Sequence, residues 1–195
     1  MKSNRFNIIE TEIRESISLK EDLLSQVDFM TSLDELISLA LETLQGTGKI
    51  IFAGNGGSFA DSQHLAAEFI SRFKFDRSPL PSIALGTNSS SVTAISNDFG
   101  FDQIFVRELQ AVAEPNDLFI PISTSGNSEN IINAVKRAIE IDLPTLALTG
   151  NNGGKISELC RCITVPSNNT ARIQECHILI GHILCGSVEE EYFKK

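Results

Sequence analysis

The chain has 195 residues, enough for one domain with a well-buried core, and its 42% hydrophobic content is ordinary for a globular protein. Its formal net charge of −9 argues against non-specific binding to nucleic acid, which requires Lys and Arg to neutralise phosphates, so we expect no nucleic-acid partner. The first residues have no apolar core of signal-peptide length, and no later run is long enough to span a bilayer. We therefore expect a cytoplasmic protein with no membrane contact. The four cysteines include no C-x-x-C pair, so we interpret them as reduced thiols with a structural role.

The first 45 residues carry two apolar stripes at helical spacing, which predict a helical extension over about residues 1–46. Two interpretations are open: the stripes pack within the domain, or they form a helical interface in a homo-oligomer. We favour the interface, because helices of this length flank only a small predicted sheet. The first stripe contains Ile9, Ile13, Ile17 and Leu24, and the second, after a break near Thr31, contains Leu33, Leu36, Ile37, Ala40, Leu41 and Leu44.

Short apolar runs alternate with amphipathic stretches through the rest of the chain. The runs are apolar on both faces, which is typical of strands buried in a parallel sheet, and the stretches between them have helical periodicity. This alternation predicts an α/β fold, a doubly wound five-stranded parallel sheet with right-handed crossovers, in a single domain spanning residues 1–195. The predicted strands are 49–54, 81–86, 117–122, 144–150 and 162–166, and the predicted helices are 58–73, about 101–112, 128–141 and about 169–193.

Two polar loops follow the first and third predicted strands, at the edge where open α/β sheets bind their ligands. GNGGS (54–58) allows a tight turn, a close backbone approach and a helix N-terminus that attracts anions. STSGNS (123–128) offers hydroxyl groups, and its Asn-Ser pair is placed to cap the next helix. Such residues are also ordinary turn formers, and for either loop alone that interpretation stays open. Together the loops favour a phosphorylated, polyhydroxylated ligand, to which TNSSS (87–91) and SND (96–98) would add hydroxyls and amides.

His64 and Glu68 lie four residues apart on the helix predicted to follow GNGGS, and therefore on one face of that helix. An ordinary surface ion pair is one interpretation. We favour a functional pair, because the segment begins at the predicted ligand loop and its neighbours are small or apolar. His182 on the C-terminal helix is a candidate partner, but periodicity alone does not decide whether Gln174 or Glu175 joins it.

An imidazole and a carboxylate beside a phosphate-binding loop suit proton transfer at a carbon next to a carbonyl group. The same side chains suit a divalent metal ion, which would polarise that carbonyl. The chain has neither a Walker loop nor a G-x-G-x-x-G motif, which argues against kinase chemistry. Aldose–ketose isomerisation of a sugar phosphate is the reaction that fits these parts best.

Five longer segments contain most of these polar residues: GNGGSFADSQHLAAEF, TAISNDFGFD, ISTSGNSENI, ALTGNNGGKISELC and VPSNNTARIQECHILIGHILC. They resemble the phosphoheptose isomerases, also called sedoheptulose 7-phosphate isomerases, of the sugar isomerase (SIS) domain superfamily. The resemblance extends over nearly the whole chain and is weakest in the first 40 residues. It implies a homotetramer with active sites between subunits, built on a five-stranded parallel, flavodoxin-like sheet.

The resemblance implies conversion of D-sedoheptulose 7-phosphate to D-glycero-D-manno-heptose 7-phosphate through an enediol, an early step toward the heptose of bacterial surface glycans. Carried over position by position, it makes Glu68 and His182 the catalytic pair, with Glu68 as the base that moves the carbon-bound proton. It also implies one Zn²⁺ per subunit, held by His64, Glu68, Gln174 and His182, and so selects Gln174 over Glu175 by analogy. The substrate-binding residues it implies are Asn55, Gly56, Gly57, Ser58, Glu68, Asn97, Asp98, Ser123, Thr124, Ser125, Ser128 and Gln174.

Two non-catalytic alternatives belong to the same superfamily. One is a tetramer that associates with the bacterial replication initiator; it resembles this chain in fold and loops but replaces the residues equivalent to Glu68 and His182. The other is a regulatory SIS domain that binds a phosphosugar as a signal, usually beside a further domain for which we expect no room here. We favour the isomerase because Glu68 and His182 are both present. The sequence leaves open whether its product feeds lipopolysaccharide or capsule.

Overall fold

A computed structural model describes residues 4–194 of the chain. Two helices precede a core in which five strands alternate with helices. The elements in chain order are α1 (Asn4–Ser25), α2 (Val27–Gln45), β1 (Ile50–Gly54), α3 (Gly57–Ile70), β2 (Ser82–Ala84), α4 (Ser89–Phe99), a 3₁₀ turn (Phe101–Gln103), α5 (Ile104–Val112), β3 (Leu118–Ser123), α6 (Glu129–Glu140), β4 (Leu146–Gly150), a second 3₁₀ turn (Gly154–Glu158), β5 (Arg161–Val165) and α7 (Thr170–Phe193).

The five strands form one parallel sheet in the order β2-β1-β3-β4-β5, which confirms the predicted doubly wound fold. The direction of strand addition reverses between β1 and β3, which pair from Ile50 opposite Leu118 to Gly54 opposite Ile122. The loops that leave these two strands therefore begin side by side. This is the switch point at which doubly wound sheets bind their ligands.

The hydrophobic core has two layers, one on each face of the sheet. Ile50 and Phe52 of β1 face the layer formed with α2, α3 and α7, whereas Ile51 and Ala53 face the layer formed with α5 and α6. All four side chains are fully buried. This burial on both faces explains why the strand is an uninterrupted apolar run, since successive side chains point to opposite faces.

Helices α3 and α7 lie side by side on one face of the sheet, and small residues on α7 allow their close approach. A Cβ added to Gly181 would lie only 3.0 Å from Cγ of Leu65 on α3. One turn and a half later, a Cβ on Gly186 would lie 3.2 Å from the ring of Phe73, in the loop after α3. Side chains on the facing sides of α3 and α7 are thereby brought within contact distance.

The break in the N-terminal helices lies at Gln26, so the predicted break near Thr31 is wrong. Gln26 has an extended backbone, with φ −91° and ψ 113°, and separates α1 from α2. Thr31 lies inside α2, where its hydroxyl donates to the carbonyl of Val27, an i−4 bond that a helix accommodates. The first apolar stripe is left exposed, with Ile13 at 55% and Ile17 at 51% of their full accessibility.

Helix α4 was not predicted, because its sequence is rich in Ser and was interpreted as loop. The side chain of Asn88 accepts hydrogen bonds from the backbone of Ser90 and Ser91 and so caps the helix start. None of the α4 residues is fully buried, but Val92, Ile95 and Phe99 lie at i, i+3 and i+7, and Val92 and Ile95 of this short apolar stripe pack against the core. SND (96–98) consequently lies on the last turn of a helix rather than on a loop.

Over residues 4–194, no helix combines the length and the apolar character that crossing a membrane requires. All four cysteines are free thiols; Cys176 and Cys185 are buried, and Cys160 and Cys162 are partly exposed. The assignment of residues 1–195 to one domain stays a prediction, and residues 1–3 and 195 lie outside the described part of the chain.

Candidate active site

The loop after β1 is held by a pair of side-chain amides. The Asn55 amide donates to Asn130 over 2.8 Å, and the Asn130 amide donates back over 3.0 Å. Asn130 is buried in the first turn of α6 and so ties the first ligand loop to the start of the helix that follows the second. Asn130 was not selected from the sequence. It could have been, because it is a polar residue on the face of α6 that is otherwise apolar and buried. Gly56 supplies the positive φ of +55° that the turn needs.

The loop after β3 exposes the start of α6. Ser128 is the N-cap residue, but no side chain caps the helix, contrary to the predicted Asn-Ser cap. Ser128 instead accepts a hydrogen bond from Ser123 over 3.2 Å, and Asn127 accepts one from the backbone of Lys155. Backbone N–H groups at the α6 N-terminus are thus left without a side-chain partner. Such a terminus favours an anion.

The loop after β3 also requires glycine. Gly126 has φ +64°, and a Cβ there would lie 2.5 Å from the carbonyl carbon of Gly153. The backbone of Ile156 donates to the Gly126 carbonyl over 3.1 Å, so the turn is held against the 3₁₀ turn after β4. The predicted phosphate loop is therefore a fixed structure rather than a loose connection.

Three of the predicted active-site side chains meet between α3 and α7. The Nε2 atoms of His64 and His182 are 2.9 Å apart, and Nε2 of His64 lies 3.4 Å from Oε1 of Glu68. The side chains of His64 and Glu68 are 47% and 24% exposed, so a ligand has access to both. The ring of Phe73 packs against that of His182, with the ring centres 5.5 Å apart.

Gln174 lies at the first ligand loop. A Cβ added to Gly57 would be 2.8 Å from Cδ of Gln174, so this glycine makes room for the Gln174 amide. Glu175 points away from the loop; it accepts a hydrogen bond from Ser16 of α1 over 2.7 Å and pairs with Arg172 over 2.7 Å. The structure thus places Gln174, and not Glu175, at the ligand edge, which periodicity could not decide.

His177 is a buried structural residue. It is fully buried, and its Nε2 lies 3.0 Å from the carbonyl of Thr149 on β4. Burial lowers the pKa of His177 to about 4, so the ring is neutral at physiological pH and donates to that carbonyl. It helps to attach α7 to the sheet and has no hydrogen bond to the group formed by His64, Glu68 and His182, which we call the His64 cluster.

Asn97 and Asp98 lie in the last turn of α4. Both are exposed, and the Asn97 amide donates to Asp98 over 2.8 Å. A mainly apolar cavity of about 170 Å³ separates α4 from the first loop and is lined by Asn55, Gly56 and Val92 among others. Ser58, by contrast, is buried at 3% exposure. The roles of these residues in substrate binding stay predictions.

A second, polar cavity of about 250 Å³ opens at the ends of β3, β4 and β5. It includes Thr124 and Ser125 of the predicted phosphate loop. Asn127 belongs to that same loop, but sequence reasoning did not select the remaining polar residues, because they lie after β4 and β5 and only the sheet order brings them beside it. These remaining residues are Asn151, Asn152, Ser167, Asn168 and Thr170.

The His64 cluster has the donor types that Zn²⁺ prefers, namely imidazole nitrogen and carboxylate oxygen. The separation of 2.9 Å between the two Nε2 atoms is that of a hydrogen bond, whereas two ligands of one tetrahedral zinc lie about 3.3 Å apart. As arranged, no group of three or more His, Cys, Asp or Glu side chains among residues 4–194 forms a metal site. The chemistry fits zinc, and the zinc ligand set stays a prediction.

Comparison with known proteins agrees with this geometry. A sequence model of the SIS domain family matches residues 18–150. The phosphoheptose isomerase of Aneurinibacillus thermoaerophilus is 50% identical over 187 residues, which cover 95% of this chain and 94% of that protein. The chain belongs to the phosphoheptose isomerase family.

Solved structures of this family share the fold over almost the full length. The phosphoheptose isomerase of Neisseria gonorrhoeae has a TM-score of 0.89 and 39% identity, covering 96% of this chain and all of that one. The phosphoheptose isomerase of Francisella tularensis has a TM-score of 0.91 and 32% identity, covering 96% and 99%. The long terminal helices are therefore part of the family's fold.

Proposed function

We propose that the protein isomerises D-sedoheptulose 7-phosphate to D-glycero-D-manno-heptose 7-phosphate, as an early step in making the heptose of bacterial surface glycans. The observation that carries the proposal is the convergence of His64, Glu68 and His182 on the helix pair beside the two ligand loops. Membership of the phosphoheptose isomerase family supplies the substrate class.

The phosphate group would bind at the second loop, where Ser123, Thr124, Ser125 and Ser128 surround the uncapped N-terminus of α6. This end of the sheet offers hydroxyl groups and backbone N–H groups without a competing carboxylate in the loop itself. The sugar chain would then extend toward the loop of Asn55–Gly57 and the amide of Gln174.

Glu68 would remove a proton from C1 of the open-chain ketose and return it to C2, by way of an enediol. His182 would carry the oxygen-bound proton from O1 to O2, so that atoms and charge balance over the whole reaction. His64 lies between the two, within 3.4 Å of Glu68 and 2.9 Å of His182, and would orient both.

We further propose one Zn²⁺ per subunit, held by His64, Glu68, Gln174 and His182. When bound, zinc would polarise the substrate carbonyl. His64, Glu68 and His182 already converge. Gln174 lies eight residues before His182 on α7, a helical rise of about 12 Å, and its side-chain amide lies beside Gly57.

A homotetramer and a cytoplasmic location are also part of this proposal. The exposed stripe of Ile9, Ile13 and Ile17 on α1 supports assembly, because apolar side chains half open to water are stabilised by a partner surface. Four free thiols support a reducing compartment.

The test is conversion of sedoheptulose 7-phosphate by the purified protein, with and without a strong chelator. Glu68→Gln and His182→Ala should each abolish turnover without unfolding the protein, while Glu175→Gln, which alters a carboxylate directed at α1, should retain it. Chelator sensitivity reversed by added zinc would support the metal. A folded, metal-replete tetramer with no turnover would refute the isomerase and leave a binding role.

A further inference from the structure

A buried ion pair links the end of α3 to α7, outside the predicted active site. The side chains of Arg77 and Glu189 are 3% and 0% exposed, and Nε of Arg77 lies 2.9 Å from Oε1 of Glu189. Sequence reasoning did not select either residue. A buried ion pair is often no more stabilising than apolar residues of similar size, so stability alone does not account for it.

Arg77 satisfies the carbonyl groups at the C-terminal end of α3. Its Nη2 donates to the carbonyl of Glu68 over 2.9 Å, and its Nη1 donates to that of Phe69 over 2.6 Å. These carbonyls lie in the last turn of a helix that ends at Ile70, where intrahelical partners run out. A cation also suits the negative end of the helix dipole. The residue proposed as the base is therefore bonded through its own backbone to Arg77.

Glu189 holds the loop that follows α3. Its carboxylate accepts hydrogen bonds from the backbone of Phe73 over 2.8 Å and of Lys74 over 2.6 Å. Burial raises the pKa of this carboxyl, but the backbone hydrogen bonds and Arg77 outweigh it and lower the pKa overall, so the group is ionised.

The same loop touches the active site. The ring of Phe73 packs 5.5 Å from the ring of His182, and His182 and Glu189 lie seven residues apart, on one face of α7. The Glu189 carboxylate thus anchors the backbone of Phe73, whose ring packs against His182, while its Arg77 partner anchors the backbone of Glu68.

We propose that Arg77 and Glu189 are positioning residues for the isomerase reaction, setting the relative placement of Glu68 on α3 and His182 on α7. The inference rests on the proposed function, because it takes these two side chains as the acid–base pair. An apolar pair at these positions would fill the space but would leave the Glu68 carbonyl and the N–H groups of Phe73 and Lys74 without these partners, whereas the Phe69 carbonyl would keep its bond from the backbone of Leu80.

Glu189→Gln is the sharpest test, because it retains the shape. Three N–H donors face the two carboxylate oxygens, so the amide of a glutamine would point its own N–H at another donor. We expect kcat to fall roughly 10- to 100-fold with KM little changed, since displacements of about 1 Å at reacting groups have costs of this size.

The matched control is Glu190→Gln, the same change at the adjacent, exposed residue, whose ion pair with Lys74 is 3.8 Å long. This variant should retain wild-type kcat. A second readout does not depend on turnover: the chain has three histidines, and their ring carbon–proton NMR signals report each one separately. Glu189→Gln should shift the His182 signals and leave those of His177 unchanged.

Wild-type kcat and unmoved His182 signals in Glu189→Gln, with only a lower Tm, would overturn the inference and make the pair purely structural. If Glu189→Gln does not fold, Arg77→Lys, which keeps the charge but not the planar fork, is measured against the same two criteria. An inactive wild-type protein would refute the proposed function instead, and the histidine signals would still decide whether the pair positions His182.

Discussion

Gly57→Ala should reduce activity without reducing stability, because this glycine makes room for a side chain rather than for an unusual backbone. Gly57 begins α3 and lies outside the residues with positive φ, so alanine suits its conformation. The added Cβ would lie 2.8 Å from Cδ of Gln174. Carbon atoms in contact prefer about 3.5–4.0 Å, so the Gln174 amide must move by about 1 Å.

The size of the effect follows from that displacement. A shift of about 1 Å in a group that positions substrate or metal costs up to ~100-fold in rate, or ~2.7 kcal/mol in transition-state free energy. The same change should leave the free energy of unfolding within about 1 kcal/mol of wild type, since helical alanine offsets the displaced amide. The assay is kcat/KM on sedoheptulose 7-phosphate, with urea unfolding measured in parallel.

A double-mutant cycle tests the reasoning. If Gly57→Ala acts by displacing Gln174, the double variant with Gln174→Ala should be no slower than Gln174→Ala alone. Losses that add would show that Gly57 contributes independently. Full activity of Gly57→Ala would refute a role for the Gln174 amide at this position.

Three further outcomes are expected. His177 stays neutral in the folded state down to a pH of about 4, whereas in the unfolded chain it takes up a proton below pH 6.5. The free energy of unfolding should therefore fall as the pH decreases through this window, by at most about 1.4 kcal/mol per pH unit. In His177→Gln, urea unfolding should show a weaker dependence of this free energy on pH, and an unchanged dependence would count against the explanation. Asn130→Ala removes both hydrogen bonds to the Asn55 amide, so it should lower the free energy of unfolding by about 1–3 kcal/mol and raise KM. Wild-type values for both quantities would contradict the role of the amide pair. Ile13→Asp places a charge in the exposed α1 stripe and should dissociate the proposed tetramer on size-exclusion chromatography, and an intact tetramer would move the interface elsewhere.

The strands and the two ligand loops could be predicted from the sequence because their signals are local. A strand buried on both faces is a continuous apolar run, as in β1, and glycines and hydroxyl residues at its end mark a turn near a ligand. Helix α4 was missed because its apolar stripe of Val92, Ile95 and Phe99 is short and lies among Ser, Thr and Asn residues, which also favour turns. The break between α1 and α2 was misplaced because Thr31, a weak helix former, is accommodated by a bond to its own helix.

Side-chain choices on α7 depended on neighbours that are distant in the sequence. Periodicity placed Glu175 almost in line with His182, yet Glu175 pairs with Ser16 and Arg172, and the Gln174 amide reaches Gly57. The contacts that decide this come from α1 and α3, more than 100 residues earlier in the chain.

The sequence by itself determined the fold class, the loop chemistry and the His64–Glu68 pair, because burial patterns, turn residues and helical spacing are properties of short segments. Only the tertiary structure decided which segments meet: the β1–β3 switch point, the approach of His182 to His64, and the buried Arg77–Glu189 pair behind them. The helices α3 and α7 come close enough for the last two contacts because Gly181 of α7 has no side chain where it faces Leu65 of α3. Packing of that kind is a property of pairs of surfaces, and no single segment of the chain contains it.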